Sequence, residues 1–179
     1  KPLIYLAAID GEKFTAATVI NDAPEIFETP TGDWIPENYE NKFFGPQTLR
    51  FFLAHSVNVA SVKLMTMLAD PQVNDTLKER QAGELVINFA QRLGIASELQ
   101  PFWSLVLGSF TVTPLEIASA YGVLCNQGIR VEPYSVVRIE NRDGEVIWEH
   151  VPVEQEAIRK ETAFIITNLL RGVVENGTA

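Results

Sequence analysis

A hydroxyl and a carboxamide stand two residues apart, at Ser56 and Asn58, inside the otherwise apolar stretch AHSVNVASVKL (residues 54–64). Presented together, such a pair can relay a proton and hold a carbonyl oxygen. Whether they are presented together depends on the backbone. In an unbroken helix, residues two apart point in widely different directions and share no target. In an extended junction between two helices, both side chains face one side and Val57 turns into the core. Asn58 also fits as the N-cap of the second helix, the commoner role for an asparagine at such a boundary. The tripeptide alone leaves both readings open.

The chain offers few competing sites. His55 adjoins Ser56, but neighbours on a helix or strand do not face each other, so it is a poor base for that hydroxyl. His150 is the second of two histidines and lies far along the chain. Two distant histidines and the single cysteine, Cys125, offer no metal-ligand cluster, and no cofactor is expected. One thiol precludes an internal disulfide and does not identify a compartment. There is no glycine-rich phosphate loop, and the carboxylates show no spacing that singles out an acid–base pair. With a formal net charge of −9 and no basic stripe, nucleic acid is not an expected partner. No apolar run approaches the ~18 residues needed to span a bilayer, and nothing resembles a signal peptide.

The elements around the tripeptide are partly legible. The 179 residues, 46% of them hydrophobic, suffice for one domain or two small subdomains. Residues 2–9 read as a short buried helix, with Pro2 tolerated in its first turn. Residues 10–45 are rich in Gly, Pro, Asn and Asp and read as a long loop, a kind of segment that often carries function. A helical pattern starts at Gln47, with Leu49, Phe52 and Leu53 on one face. A second apolar segment, Val59 to Leu68, stops at Asp70-Pro71. Ala82, Leu85, Val86, Phe89, Ala90 and Leu93 mark an amphipathic helix over 79–93, ended by Gly94. Thr113, Pro114 and Glu116 spell an N-cap, a first-turn proline and a capping box for a helix that ends near Asn126-Gln127-Gly128. Two β-rich runs flank Asn141-Arg142-Asp143-Gly144 and predict a hairpin. A last amphipathic helix covers 161–175 through Ala163, Ile166, Leu169, Leu170 and Val173. The expected class is α+β, mainly helical, with a little antiparallel sheet. The termini, Lys1 and the run VVENGTA, read as cut from a longer chain.

Several stretches together resemble the transpeptidase domain of class A penicillin-binding proteins, bifunctional enzymes that build peptidoglycan. They are KPLIYLAAI, WIPENYENKFFGPQTLRFFLAHSVNVASVKL, LGSFTVTPLEIASAYGVLCNQGIRVEPYSVVRIENRDGEVI and TAFIITNLLRGVVENGTA. They run in the family's order and cover nearly the whole chain. The resemblance implies an incomplete penicillin-binding protein/β-lactamase-like fold, with a partial transpeptidase domain over 1–179. Residues 1–130 would be the mainly helical part with the Ser-x-Asn motif. Residues 131–179 would supply a β-hairpin and a helix of the sheet-containing part.

Enzymes of this kind carry Ser-x-x-Lys, Ser-x-Asn and Lys-Thr-Gly. By resemblance Lys1 is similar to the lysine of the first, and Ser56 and Asn58 to the second. The nucleophilic serine would stand three positions before Lys1, and Lys-Thr-Gly beyond Ala179. The implied catalytic residues are Lys1 as base, Ser56 as proton relay and Asn58 as holder of Lys1 and of the substrate carbonyl. The implied partners are stem peptides ending in D-Ala-D-Ala and β-lactam antibiotics, at the outer face of the cell membrane, with an anchor outside these residues. This segment alone would be inactive, and a sheet edge left unpaired would favour self-association. Two alternatives compete: a non-catalytic sensor or interaction module on the same fold, and a serine β-lactamase, disfavoured by the long Trp-Ile-Pro-Glu-Asn-Tyr segment. Trp34 and Tyr39 are expected to pack that segment rather than touch substrate.

Overall fold

A nine-residue helix with almost no polar face has to be enclosed on every side. That helix is α1 (Pro2–Asp10). In the computed structural model, which describes residues 1–29 and 32–179, Ile4 through Ile9 are buried. Around α1 pack α2 (Leu49–Ala54), α3 (Asn58–Thr66), α4 (Asp75–Arg92) and α6 (Lys160–Asn176). α5 (Pro114–Cys125) lies against α6. The buried faces agree with the sequence pattern: Leu49, Phe52 and Leu53 on α2, Ala82, Val86, Phe89 and Ala90 on α4, and Ala163, Ile166 and Leu169 on α6.

The helix ends follow local chemistry. The capping box of α5 forms as expected, with the Thr113 side chain accepting the Glu116 N–H and Glu116 reaching back to the Thr113 N–H. α4 begins a turn earlier than its apolar spacing suggested, because Asn74 caps it by accepting the Leu77 N–H. Gly94 and Gly128 follow α4 and α5 with φ of 101° and 92°, a conformation open to glycine.

Residues 10–45 are more ordered than the expected loop. They contain β1 (Val19–Asp22), β2 (Phe27–Thr29), β3 (Gly32–Trp34), a 3-10 turn at Tyr39–Asn41, and the start of β4 (Gly45–Thr48). β1 pairs antiparallel with β4 in the register Val19↔Thr48 to Asp22↔Gly45, and β2 pairs with β3. Strands of three or four residues are too short for alternation to announce them, and Gly45-Pro46 reads as a breaker. The β1–β4 pair clamps the segment's return directly onto the start of α2.

The predicted hairpin is β6 (Arg138–Glu140) with β7 (Val146–Glu149), turning through Gly144 at φ 82°. β5 (Ile129–Val131) pairs with β8 (Glu154–Glu156) at its base. Among the described residues the strands form four separate two-stranded antiparallel pairs. The architecture is therefore α+β and mainly helical, with little sheet. No helix among the described residues is long and apolar enough to cross a membrane.

Candidate active site

The backbone between α2 and α3 is broken at the Ser-Val-Asn tripeptide. Ser56 adopts the left-handed conformation, φ 53°, and Val57 is extended at φ −68°, ψ 128°. The kink differs from a plainly extended junction, because one residue turns left-handed before the next extends. The outcome for Val57 is as expected: it is 3% exposed and anchored in the core. Ser56 is left on the surface side, where its hydroxyl accepts a hydrogen bond from the Lys1 ammonium at 2.9 Å. Fifty-five residues separate the two groups in sequence. Lys1 immediately precedes α1, so the packing of α1 against α2 and α3 is what closes the distance. Burial lowers the Lys1 pKa from its ordinary value, because a half-buried amine loses hydration that favours its charged form.

α1 locks the tripeptide from beneath as well. Ser61, on the first turns of α3, donates its hydroxyl hydrogen to the Val57 carbonyl at 2.6 Å. With that hydrogen committed, Tyr5 is the donor in its 3.2 Å contact with Ser61 Oγ. Burial pushes the Tyr5 phenol well above its usual range and keeps that donor protonated. Lys1 and Tyr5 are four residues apart, so one helix face supplies both contacts.

Asn58 does not cap α3. It is the first helical residue, Val57 occupies the N-cap position, and no side chain of the tripeptide bonds the helix's free N–H groups. Those groups go to Asn38, twenty residues upstream, whose Oδ1 accepts the Asn58 and Val59 N–H groups at 3.0 Å each. The Asn58 side chain is thereby released; its Nδ2 donates to the Glu37 carbonyl at 2.8 Å. Asn38 in turn donates Nδ2 to both carboxylate oxygens of Asp22 and to the Lys42 carbonyl, all at 3.0 Å. Asp22, 1% exposed, also accepts the Phe44 N–H. Sequence reading missed Asn38 and Asp22, since a cap supplied from a distant loop leaves no local pattern. The available signal was Asn38 itself, a polar residue in a segment otherwise anchored by Trp34 and Pro36.

The remaining expectations sort cleanly. His55 stacks on Phe51 with ring centroids 4.1 Å apart, and its Nδ1 hydrogen-bonds the Phe51 carbonyl. Its ring is thus engaged with Phe51. Trp34 packs on Phe27 as expected. Tyr39 does not pack: it is 86% exposed, so the structural role assigned to it is corrected. It stands on the 3-10 turn, where Glu40 and Asn41 have positive φ and turn the chain outward. Among the described residues no group of three His, Cys, Asp or Glu side chains could hold a metal ion.

A lysine at the start of a buried helix thus meets the serine of a Ser-x-Asn kink between two other helices. The penicillin binding protein transpeptidase domain matches this chain over residues 1–179, and the chain belongs to that family. Penicillin-binding protein 1A of Aquifex aeolicus is 35% identical over the whole chain, and that of Pseudomonas aeruginosa 40% over 87% of it. The chain spans 23% and 18% of those relatives' lengths. Among solved structures, penicillin-binding protein 1A from Haemophilus influenzae superposes with a TM-score of 0.83 at 24% identity, covering all of this chain and 29% of that one. Penicillin-binding protein A from M. tuberculosis, solved as an imipenem acyl-enzyme, gives 0.76 at 22% identity, over 96% of this chain and 42% of its own. These two likenesses fix the fold.

Proposed function

We propose that the chain is part of a serine D,D-transpeptidase that cross-links peptidoglycan stem peptides, with Lys1, Ser56 and Asn58 in its catalytic centre. The observation that carries this is the Lys1–Ser56 hydrogen bond, closed across the sequence by a left-handed kink. A poor nucleophile such as a serine hydroxyl needs a base, and a lysine serves when its amine is neutral. The direction of the Lys1 pKa fits that duty.

In this reading a serine three positions before Lys1 attacks the carbonyl carbon of the penultimate D-Ala. Its oxygen–carbon bond forms, the bond to the terminal D-Ala nitrogen breaks, and the serine proton passes through Lys1 and Ser56 to the departing amine. The amine of a second peptide then attacks the acyl carbon, its nitrogen–carbon bond replacing the serine ester bond, and its proton returns to the serine oxygen as the cross-link forms. Asn58 positions the substrate carbonyl, which requires its amide to exchange the Glu37 carbonyl for substrate. β-Lactams halt the cycle at the acyl stage, as imipenem does in the mycobacterial neighbour. The division at residue 130, an extracytoplasmic location and an anchor outside these residues belong to the same proposal.

The test is labelling with a fluorescent penicillin. The full-length protein containing this chain is expected to take one label per molecule, and Ser56→Ala to slow labelling by at least tenfold. Residues 1–179 alone are expected to take none by mass spectrometry. A full-length protein that stays unlabelled would overturn the assignment.

A further inference from the structure

Asn38 sits in a one-way hydrogen-bond environment. Its Nδ2 faces acceptors, the Asp22 carboxylate and the Lys42 carbonyl, while its Oδ1 faces donors, the Asn58 and Val59 N–H groups. An amide turned end for end would place its nitrogen against two N–H groups and its oxygen against a carboxylate, so a single orientation survives. The network is buried, with Asp22 and Asn38 both shielded from solvent, so water cannot replace a lost partner.

The arrangement reaches the site through one residue. Asn38 takes over the capping of α3, and the first N–H it holds belongs to Asn58. Without it, the Asn58 and Val59 N–H groups lose their acceptor, and the start of α3, with the Asn58 side chain on it, is no longer held in place. Asp22 is placed by the β1–β4 pairing, so the alignment runs from that strand pair to the Ser-x-Asn kink.

We propose that Asn38, oriented by Asp22, is a positioning residue for catalysis, acting through Asn58 and the start of α3. This rests on the transpeptidase reading above. The geometry predicts a charge-exchange rescue. Asn38→Asp sets two carboxylates against each other, whereas Asp22→Asn with Asn38→Asp restores a donor–acceptor pair between the two side chains and still offers an oxygen to both N–H groups; the Lys42 carbonyl loses its donor, so the rescue is partial.

Stopped-flow acylation of the full-length protein by fluorescent penicillin separates the binding constant of the first complex from the acylation rate constant. Asn38→Ala and Asn38→Asp are expected to lower the acylation constant at least tenfold while binding changes less than threefold. The double variant is expected to recover a substantial part of the loss seen in Asn38→Asp, with Tm followed for every protein. Should Asn38→Ala fail to fold, Asn38→Asp and the double variant decide the matter. Wild-type acylation constants in the single variants, or a double variant no faster than Asn38→Asp, would overturn the positioning role while leaving the transpeptidase reading intact. A wild-type protein that takes no label would overturn both.

Discussion

Ser56 holds a conformation that costs a non-glycine residue about 1 kcal/mol or more. Ser56→Gly should therefore raise thermal stability slightly, by up to about 1 kcal/mol, while slowing acylation through loss of the hydroxyl. A Tm that falls, or a rate that holds, would contradict this. Lys1 makes a second prediction. In the proposed mechanism its working form is the neutral amine, so the acylation rate of the full-length protein should rise with pH through a pKa below 10.5. Lys1→Arg, which stays charged at every accessible pH, should abolish that rise along with activity. The sign for stability follows the same shift. The unfolded chain binds the Lys1 proton more tightly than the folded one, so the desolvation penalty applies in full at low pH and is relieved as pH climbs towards 10.5. At this scale the sequence was half legible. The spacing of Ser56 and Asn58 was visible, as was the inward turn of Val57. The left-handed φ was not, since serine carries no signal for it, and neither was the cap from Asn38.

Among the elements, the start of α5 does double service. Glu116 completes its capping box and also accepts the Ala96 and Ser97 N–H groups and the Ser97 hydroxyl, each at 2.7 Å. Hydrogen bonds from the Ser97 hydroxyl, then from Thr113, hold its pKa down to about 2. A carboxylate with a depressed folded pKa stabilises fully above its unfolded value near 4.5, and the contribution fades as pH falls from there towards 2. Chemical denaturation of wild type and Glu116→Gln should thus differ most above pH 5 and converge near pH 2; parallel curves would refute the role. The capping box could be read from Thr113 and Glu116. The grip on residues 96–97 could not, because it exists only once Gly94 has turned the chain back to meet α5. The short strands of residues 10–45 escaped for the related reason that their partners are set by tertiary packing, as β1 and β4 show.

For the whole molecule, the polar–apolar balance is uneven. The helical body buries most of its apolar residues, with exceptions such as Leu115, Phe164 and Val174, whereas the β6–β7 arm leaves Val137, Ile139, Val146, Ile147 and Trp148 all exposed, with Val151 and Val153 following. Two-stranded pairs also present free backbone edges. Residues 1–179 in isolation are accordingly expected to self-associate as concentration rises. Sedimentation velocity that stays monomeric across the range would count against it. The helical body was the part most open to sequence reading, since α1, α4, α5 and α6 carry period and punctuation over many residues.

α6 has a consequence beyond its packing. At its start, Arg159 grips the Asp10 carbonyl at 2.6 Å and Thr162 the Asp10 carboxylate at 2.8 Å, fixing the far end of α1. Past its end, the Thr178 N–H bonds the Ala54 carbonyl, and Gly177 lies so close to that carbonyl that a Cβ would fall 2.2 Å from it. The 17-residue helix, about 25 Å long, is thus a splint bolted to both helices that bring Lys1 and Ser56 together. Damage at Arg159, a helix length away, should therefore loosen the Lys1–Ser56 alignment without touching either residue.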